Sequence, residues 1–413
     1  MTLEVVELDI HGIAAGGDGV GRADGLVVFA PRTAPGDRIR ATVERGKRFA
    51  RAASVDVVTP SPDRVAPACP HYEGDRCGGC QLQHMNDNAQ RRAKAGIIRD
   101  AFQRIAKRPL DLPDVRHGAQ AWRYRSKLTL ALRRSMGRWI AGLHRYDAPD
   151  EIFALDDCPI TDERVMVAWR AVLARGELLP DARTLRVSLR LLGDGAALVV
   201  EGGERWDKGQ TLLDVVPALV AIWWVPDGER SVRRLVADRG PGQEHGASFT
   251  QVNDAVAQRM REHVLALVAK HAPGHVVDAY AGIGDTAEPV ARGGATVVAI
   301  ELDRAASRVA AERLPAGSRA VADSVEHALP GALPADLVLL NPPRAGTADS
   351  VTRALEQARP ATIIYVSCDP ATLARDVGRL PSYRVASVVG FDMFPQTAHV
   401  ETVCELQLED AAA

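Results

Sequence analysis

The 413-residue sequence has no apolar run near the length of about 20 residues that a membrane-spanning helix needs. Its start, Met1-Thr2-Leu3-Glu4-Val5-Val6-Glu7, has neither a basic leader nor a secretory apolar core. The expectation is a cytoplasmic protein with no membrane partner. Cysteine is scarce: only Cys69, Cys77, Cys80, Cys158, Cys368 and Cys404. Six thiols in a cytosolic chain of this size do not read as a disulfide framework. Net charge is also small, −2, but the halves differ. Residues 1–140 hold 24 Lys and Arg against 15 Asp and Glu, and the remainder 27 against 38. A basic front suggests a polyanionic partner there. With 46% hydrophobic and 25% charged residues, the chain has the composition and length for two or three globular domains.

Residues 1–60 alternate in short runs, such as Val5-Val6-Glu7-Leu8-Asp9-Ile10, around a glycine-rich stretch at Gly16–Gly21. This predicts a small OB-type β-barrel. Arg45, Lys47, Arg48 and Arg51 surround Phe49, a pattern suited to RNA phosphates and bases and equally to a solvated hairpin. Thr59-Pro60-Ser61-Pro62 reads as a linker.

Residues 61–240 read as a central α+β domain. Cys77-Gly78-Gly79-Cys80 has the two-residue gap of a metal knuckle. Cys69 precedes it, and Cys158, before Pro159, is the natural fourth ligand. Four thiolates could hold zinc or an iron–sulfur cluster, and the spacing does not choose between them. His71 and His84 are neighbours that could also serve zinc. Apolar residues from Ala93 to Ile105 recur at helical spacing, opposite a basic face that includes Arg91, Arg92, Lys94, Arg99 and Arg108. From Trp122 to Leu130 basic and apolar residues alternate. On a strand this sets Arg123, Arg125 and Lys127 on one face, the best candidate for an RNA-contacting sheet.

Over residues 241–413 helices and strands alternate, which implies a doubly wound, Rossmann-like parallel sheet. Asp278-x-Tyr280-x-Gly282-x-Gly284 follows a first strand, and Glu301 ends a second. Such an acidic residue accepts bonds from ribose hydroxyls. The third glycine of the pyrophosphate fingerprint is missing, as expected for a cofactor without phosphate such as S-adenosylmethionine. Asn341-Pro342-Pro343-Arg344 and Ser367-Cys368-Asp369-Pro370 end later strands, at the sheet edge where ligands bind. A buried structural cysteine is the plainer reading of Cys368. A carbon target such as uracil C5 is a poor nucleophile and needs a thiolate to add at C6 and a base to remove the C5 proton. Cys368 and Glu401 have the right types for those roles.

With these motifs the chain resembles the RNA uridine-5 methyltransferases that carry an N-terminal TRAM domain. Cys-Gly-Gly-Cys-Gln-Leu-Gln-His (77–84), Trp-x-Tyr-Arg (122–125), Cys-Pro (158–159), Phe-Thr-Gln-Val-Asn (249–253), Asn-Pro-Pro-Arg (341–344), Ser-Cys-Asp-Pro (367–370) and His-Val-Glu (399–401) carry the resemblance along nearly the whole chain. It implies Cys368 as nucleophile and Glu401 as base. It implies S-adenosylmethionine contacts at Gln251, Tyr280, Asp285, Glu301, Asp323 and Asn341, and a [4Fe–4S] cluster on Cys69, Cys77, Cys80 and Cys158, with zinc the lesser alternative. The four-cysteine site looks like the branch acting on 23S rRNA, and the expected working unit is a monomer. A tRNA uridine-5 methyltransferase is the neighbouring reading. A non-catalytic RNA-binding or ribosome-assembly factor would need Cys368 or Glu401 altered, and amino methylation at Asn341-Pro-Pro would leave Cys368 dispensable. Asn341, Asp369 and Asp285 depart from the family's usual residues, and the gap from Cys69 to Cys77 is longer than usual. Asp369 would raise the neighbouring thiol's pKa unless paired, with Arg344 and Arg375 as candidates.

Overall fold

The structure, a computed structural model, describes residues 3–229, 233–240 and 251–409. Strands Leu3–Ile13, Gly19–Ala23, Leu26–Ala30, Arg38–Arg45 and Phe49–Thr59 close into a barrel. Part of the expected glycine turn is strand. A Cβ on Gly21 would lie 2.4 Å from Leu8 Cδ1 and 2.6 Å from the Asp9 carbonyl, so glycine lets the first two strands approach. The Pro-rich linker is anchored. Buried Asp37 accepts from Ser61 N–H at 2.8 Å, Ala34 N–H at 2.6 Å and the Arg64 guanidinium at 2.8 Å.

Asn86 caps helix Asp87–Ala101 by accepting from Ala89 N–H, and a π-helical turn, Phe102–Ala106, continues it. Its basic face is not uniformly solvated. Lys94 is wholly buried against Asp392, and Arg108 donates to the carbonyls of Leu380 and Tyr383.

The central sheet has seven strands, in the order Arg234–Asp238, Leu219–Val225, Gly195–Glu201, Thr184–Leu192, Lys127–Ser135, Arg138–His144 and Ile152–Ala154. The alternation expected over 122–130 starts late. The strand begins at Lys127, and Arg123 sits at φ +53°, outside it. Arg123 is bound to the Asp157 carboxylate at 2.7 Å and to the carbonyls of Cys158 and Thr161, so it braces the Cys158 loop. Lys127 pairs with Arg190 across the strands. Burial and the nearby charges of Arg190, Arg186, Arg233 and Arg125 hold its pKa down.

The last sheet has eight strands, in the order Arg319–Ala322, Thr296–Glu301, His275–Ala279, Leu337–Leu340, Thr362–Ser367, Glu401–Leu408, Tyr383–Phe391 and Val115–Arg116. The first five run parallel, and Glu401–Leu408 returns antiparallel. The five parallel strands are apolar at most positions because helices cover both faces. The edge strand Val115–Arg116 comes from before the central sheet, and its neighbour helix packs Ile98 and Phe102 into the same core. Among the described residues no helix is long and apolar enough to cross a membrane.

Candidate active site

The parallel strands all point their carboxyl ends to one edge. In sheet order, the residues that follow or end them are Asp323, Glu301, Tyr280, Asn341 and Cys368. Tyr280 turns at φ +65° into Gly282 and Gly284, both also left-handed, so the loop folds back tightly. Glu301 accepts from Gly282 N–H at 2.9 Å and Asp303 N–H at 2.8 Å, which ties this loop to the second strand. Asp323 N–H donates to the Glu301 carbonyl at 3.1 Å, and the Asp323 carboxylate meets His327. Asn341 N–H donates to the Ala279 carbonyl at 3.3 Å. Asp285 is placed differently: Arg313 holds its carboxylate at 2.8 Å, with Arg261 at 3.7 Å. Gln251 leads into helix Asp254–His271, which Asn253 caps; Phe249 and Thr250 of the same run lie outside the described residues. Asp278 was not singled out as a contact. It is buried behind the glycine loop, and burial together with the Glu301 charge pushes its pKa up to about 7.

Cys368 and Glu401 come together through register. Ser367 pairs with Thr402 at the last rung of the antiparallel ladder, so Cys368 leaves its strand where Glu401 begins the next, near enough for the Glu401 charge to act on its thiol. Glu401 is 4% exposed, and burial pushes its carboxyl up to about 7. Burial, then the charges of Glu401 and Asp369, raises the Cys368 thiol, and Arg344 opposes them. Asp369 has two duties that blunt its effect. Its carboxylate caps helix Pro370–Gly378, accepting from Ala371 N–H at 2.9 Å and Thr372 N–H at 3.2 Å. It also pairs with Arg344 at 3.4 Å. Arg375 is committed to Asp376 and the Ala345 carbonyl instead. The helix N-terminus beside Cys368 favours a thiolate. Buried Asp376, which the sequence reading missed, accepts from Thr347 N–H at 2.9 Å and Tyr365 hydroxyl at 2.7 Å, and so holds the loop after Asn341.

Cys368 opens into a cavity of about 430 Å³ whose walls also include Arg344, His399 and all four of Cys69, Cys77, Cys80 and Cys158. None of the six cysteines is in a disulfide. Burial raises Cys69, raises Cys77 to about 11 and raises Cys80 to about 12. Among the described residues no group of three or more His, Cys, Asp or Glu side chains could hold a metal ion. The four thiols thus share a chamber without forming a single-ion ligand set.

Residues 332–409, which span the Asn341 loop, Cys368 and Glu401, match the family described as tRNA (Uracil-5-)-methyltransferase. An uncharacterized RNA methyltransferase of Protochlamydia amoebophila is 32% identical over 97% of this chain and 97% of its own length. The chain belongs to the RNA uracil-C5 methyltransferase family. Within it, the 23S rRNA (uracil(1939)-C(5))-methyltransferase RlmD of Alkalilimnicola ehrlichii is 31% identical, covering 98% of this chain and 97% of the relative. The fold matches the crystal structure of Pyrococcus abyssi tRNA (uracil-54, C5)-methyltransferase in complex with S-adenosyl-L-homocysteine, with a TM-score of 0.71, 24% identity, and coverage of 97% and 100%.

Proposed function

We propose that this protein methylates C5 of a uridine in 23S rRNA. The observation that carries the chemistry is that Cys368, just past the last rung of its strand, lies within reach of the charge of buried Glu401 at the ligand edge of the sheet. S-adenosylmethionine, on the Gln251, Tyr280, Glu301, Asp323 and Asn341 edge, supplies an electrophilic methyl group; Asp285 would act from its Arg313 pair, shaping the glycine loop. The Cys368 thiolate adds to uracil C6, and the electron pair of the C5=C6 bond moves toward O4. C5 then takes the methyl group as the methyl–sulfonium bond breaks. Glu401 removes the C5 proton, C5=C6 re-forms, and the Cys368–C6 bond breaks to return the thiolate. The target base would be turned out of its stack to reach Cys368.

The ribosomal substrate is supported by the full-length likeness to relatives named as 23S rRNA enzymes. The tRNA reading keeps support from the archaeal fold neighbour. Methyl transfer to purified 23S rRNA and tRNA transcripts separates the two: incorporation into 23S rRNA is expected, and incorporation into tRNA alone would overturn the assignment. Cys368→Ala is expected to abolish methylation while keeping S-adenosylmethionine binding, and full turnover by it would sink the mechanism. Glu401→Gln is expected to trap a covalent RNA adduct, visible as a shifted band on a denaturing gel.

The four-cysteine chamber suits a [4Fe–4S] cluster. Buried thiols with raised pKa values deprotonate readily only when a cationic group compensates. Four cysteines lining one cavity are the observation behind this reading. Cys69, Cys77, Cys80 and Cys158 would hold it as a structural element.

A further inference from the structure

The stretch from Asp392 to Val400 delivers Glu401 to the site, yet parts of the chain far away in sequence hold it. Lys94, 0% exposed, reaches out of helix Asp87–Ala101, and its ammonium donates to the Asp392 carboxylate and to the Phe394 carbonyl at 3.0 Å. One turn earlier, Gln90 and Gln396 form a reciprocal pair. Gln90 Nε2 donates to Gln396 Oε1 at 2.9 Å, and Gln396 N–H donates to Gln90 Oε1 at 2.9 Å. Gln396 sits at φ +70°, a conformation such a residue keeps only when its surroundings hold it. Its carbonyl accepts from Gln81 N–H at 3.1 Å and Leu82 N–H at 3.0 Å, directly after Cys80.

A fully buried lysine is costly, and an apolar pair of similar size would stabilise the fold as well or better. What the polar latch adds is one fixed geometry for the loop. We propose that Lys94 is a positioning residue: with Gln90, it locks the 392–400 loop so that Glu401 meets the C5 proton of the base bound to Cys368. This rests on Glu401 being the base.

The test uses the full chain with S-adenosylmethionine and an RNA transcript it methylates. Lys94→Met is expected to lower kcat ~10- to 100-fold, as small misplacements of a catalytic group do. KM for RNA and cofactor should stay within about twofold. Because addition and methyl transfer precede proton removal, the covalent RNA–protein band should accumulate. The double variant Lys94→Met with Asp392→Leu removes both buried charges and should regain thermal stability while release stays slow. Recovery of normal turnover along with stability would show a merely structural pair and overturn the inference. A band with Glu401→Gln but none with either Lys94 variant overturns it too. No band in any of them overturns the base assignment itself, and the inference with it.

Discussion

At the residue scale, two acids near Cys368 sit in different surroundings. Glu401 sits where burial holds its carboxyl up to about 7, whereas Asp369, its near neighbour, is paired and capping. A base must be ionised to take a proton, so release of product should rise with pH through about 7 and level off above it. Single-turnover release measured from pH 5.5 to 9 checks this, and a limb near 4.5 would refute the burial argument. The sign for stability is opposite. Glu401 binds its proton more tightly folded than unfolded, so it costs stability as pH rises from its ordinary value of 4.5 through about 7. Glu401→Gln should therefore raise Tm at pH 8, by at most ~3 kcal/mol of stability, and change it little at pH 4. Thermal melts at the two pH values read this directly. The position of Cys368 at the ligand edge was legible from its place after a strand and before Asp-Pro. The pairing of Asp369 with Arg344 rather than Arg375 was not, because both arginines lie within reach in sequence terms and only packing commits Arg375 to Asp376.

At the element scale, the antiparallel strand Glu401–Leu408 carries both the proposed base and a lock. Glu405, midway along it, is buried and accepts from Lys270 at 2.7 Å, His271 at 2.7 Å, Ser387 at 2.8 Å and Gln407 at 3.0 Å. Burial would raise its carboxyl, but these donors and the Lys270 charge outweigh it and hold it at about 2. Its contribution is present above pH 4.5 and lost as pH falls through about 2. Glu405→Gln should cost ~1–3 kcal/mol at pH 7, read as a lower denaturant midpoint, with kcat per folded molecule unchanged. Gly346 shows the same economy in a loop. At φ +78°, a Cβ there would lie 2.5 Å from both Asp376 Oδ2 and Arg375 Nη2. Gly346→Ala should displace the loop after Asn341 and raise KM for the cofactor several-fold, by isothermal titration or steady-state kinetics. Helix Asp87–Ala101 was legible from its period, but Lys94, expected on the basic face opposite the apolar one, is instead buried with Gln90 on the stripe of Ile97, Ile98 and Ala101.

At the scale of the whole molecule, the chamber of four cysteines also includes Cys368 instead of forming a separate module. Arg32, from the barrel, reaches over Tyr72 and Tyr146 at 3.7 and 4.2 Å and donates to the Cys77 carbonyl at 2.9 Å. Barrel, chamber and sheet edge are therefore one continuous contact. Anaerobically purified protein should carry about four irons with matching sulfide and absorb broadly near the visible region. Iron removal by a chelator should lower Tm, since a buried set of thiols loses its compensating charge. Stoichiometric zinc without sulfide would overturn the cluster.

The sequence by itself determined the repeated strand–helix alternation, the ligand edge of the sheet and the residue types on it. These follow from local period, glycine and proline, which act over a few neighbours. It could not determine that Cys368 and Glu401 lie at the same end of neighbouring strands, or that Lys94 braces the loop between them. Residues 33 and 298 positions apart meet only when an antiparallel strand returns and a distant helix docks. Register and docking are settled by burying all the apolar faces at once, and that is a property of the tertiary structure alone.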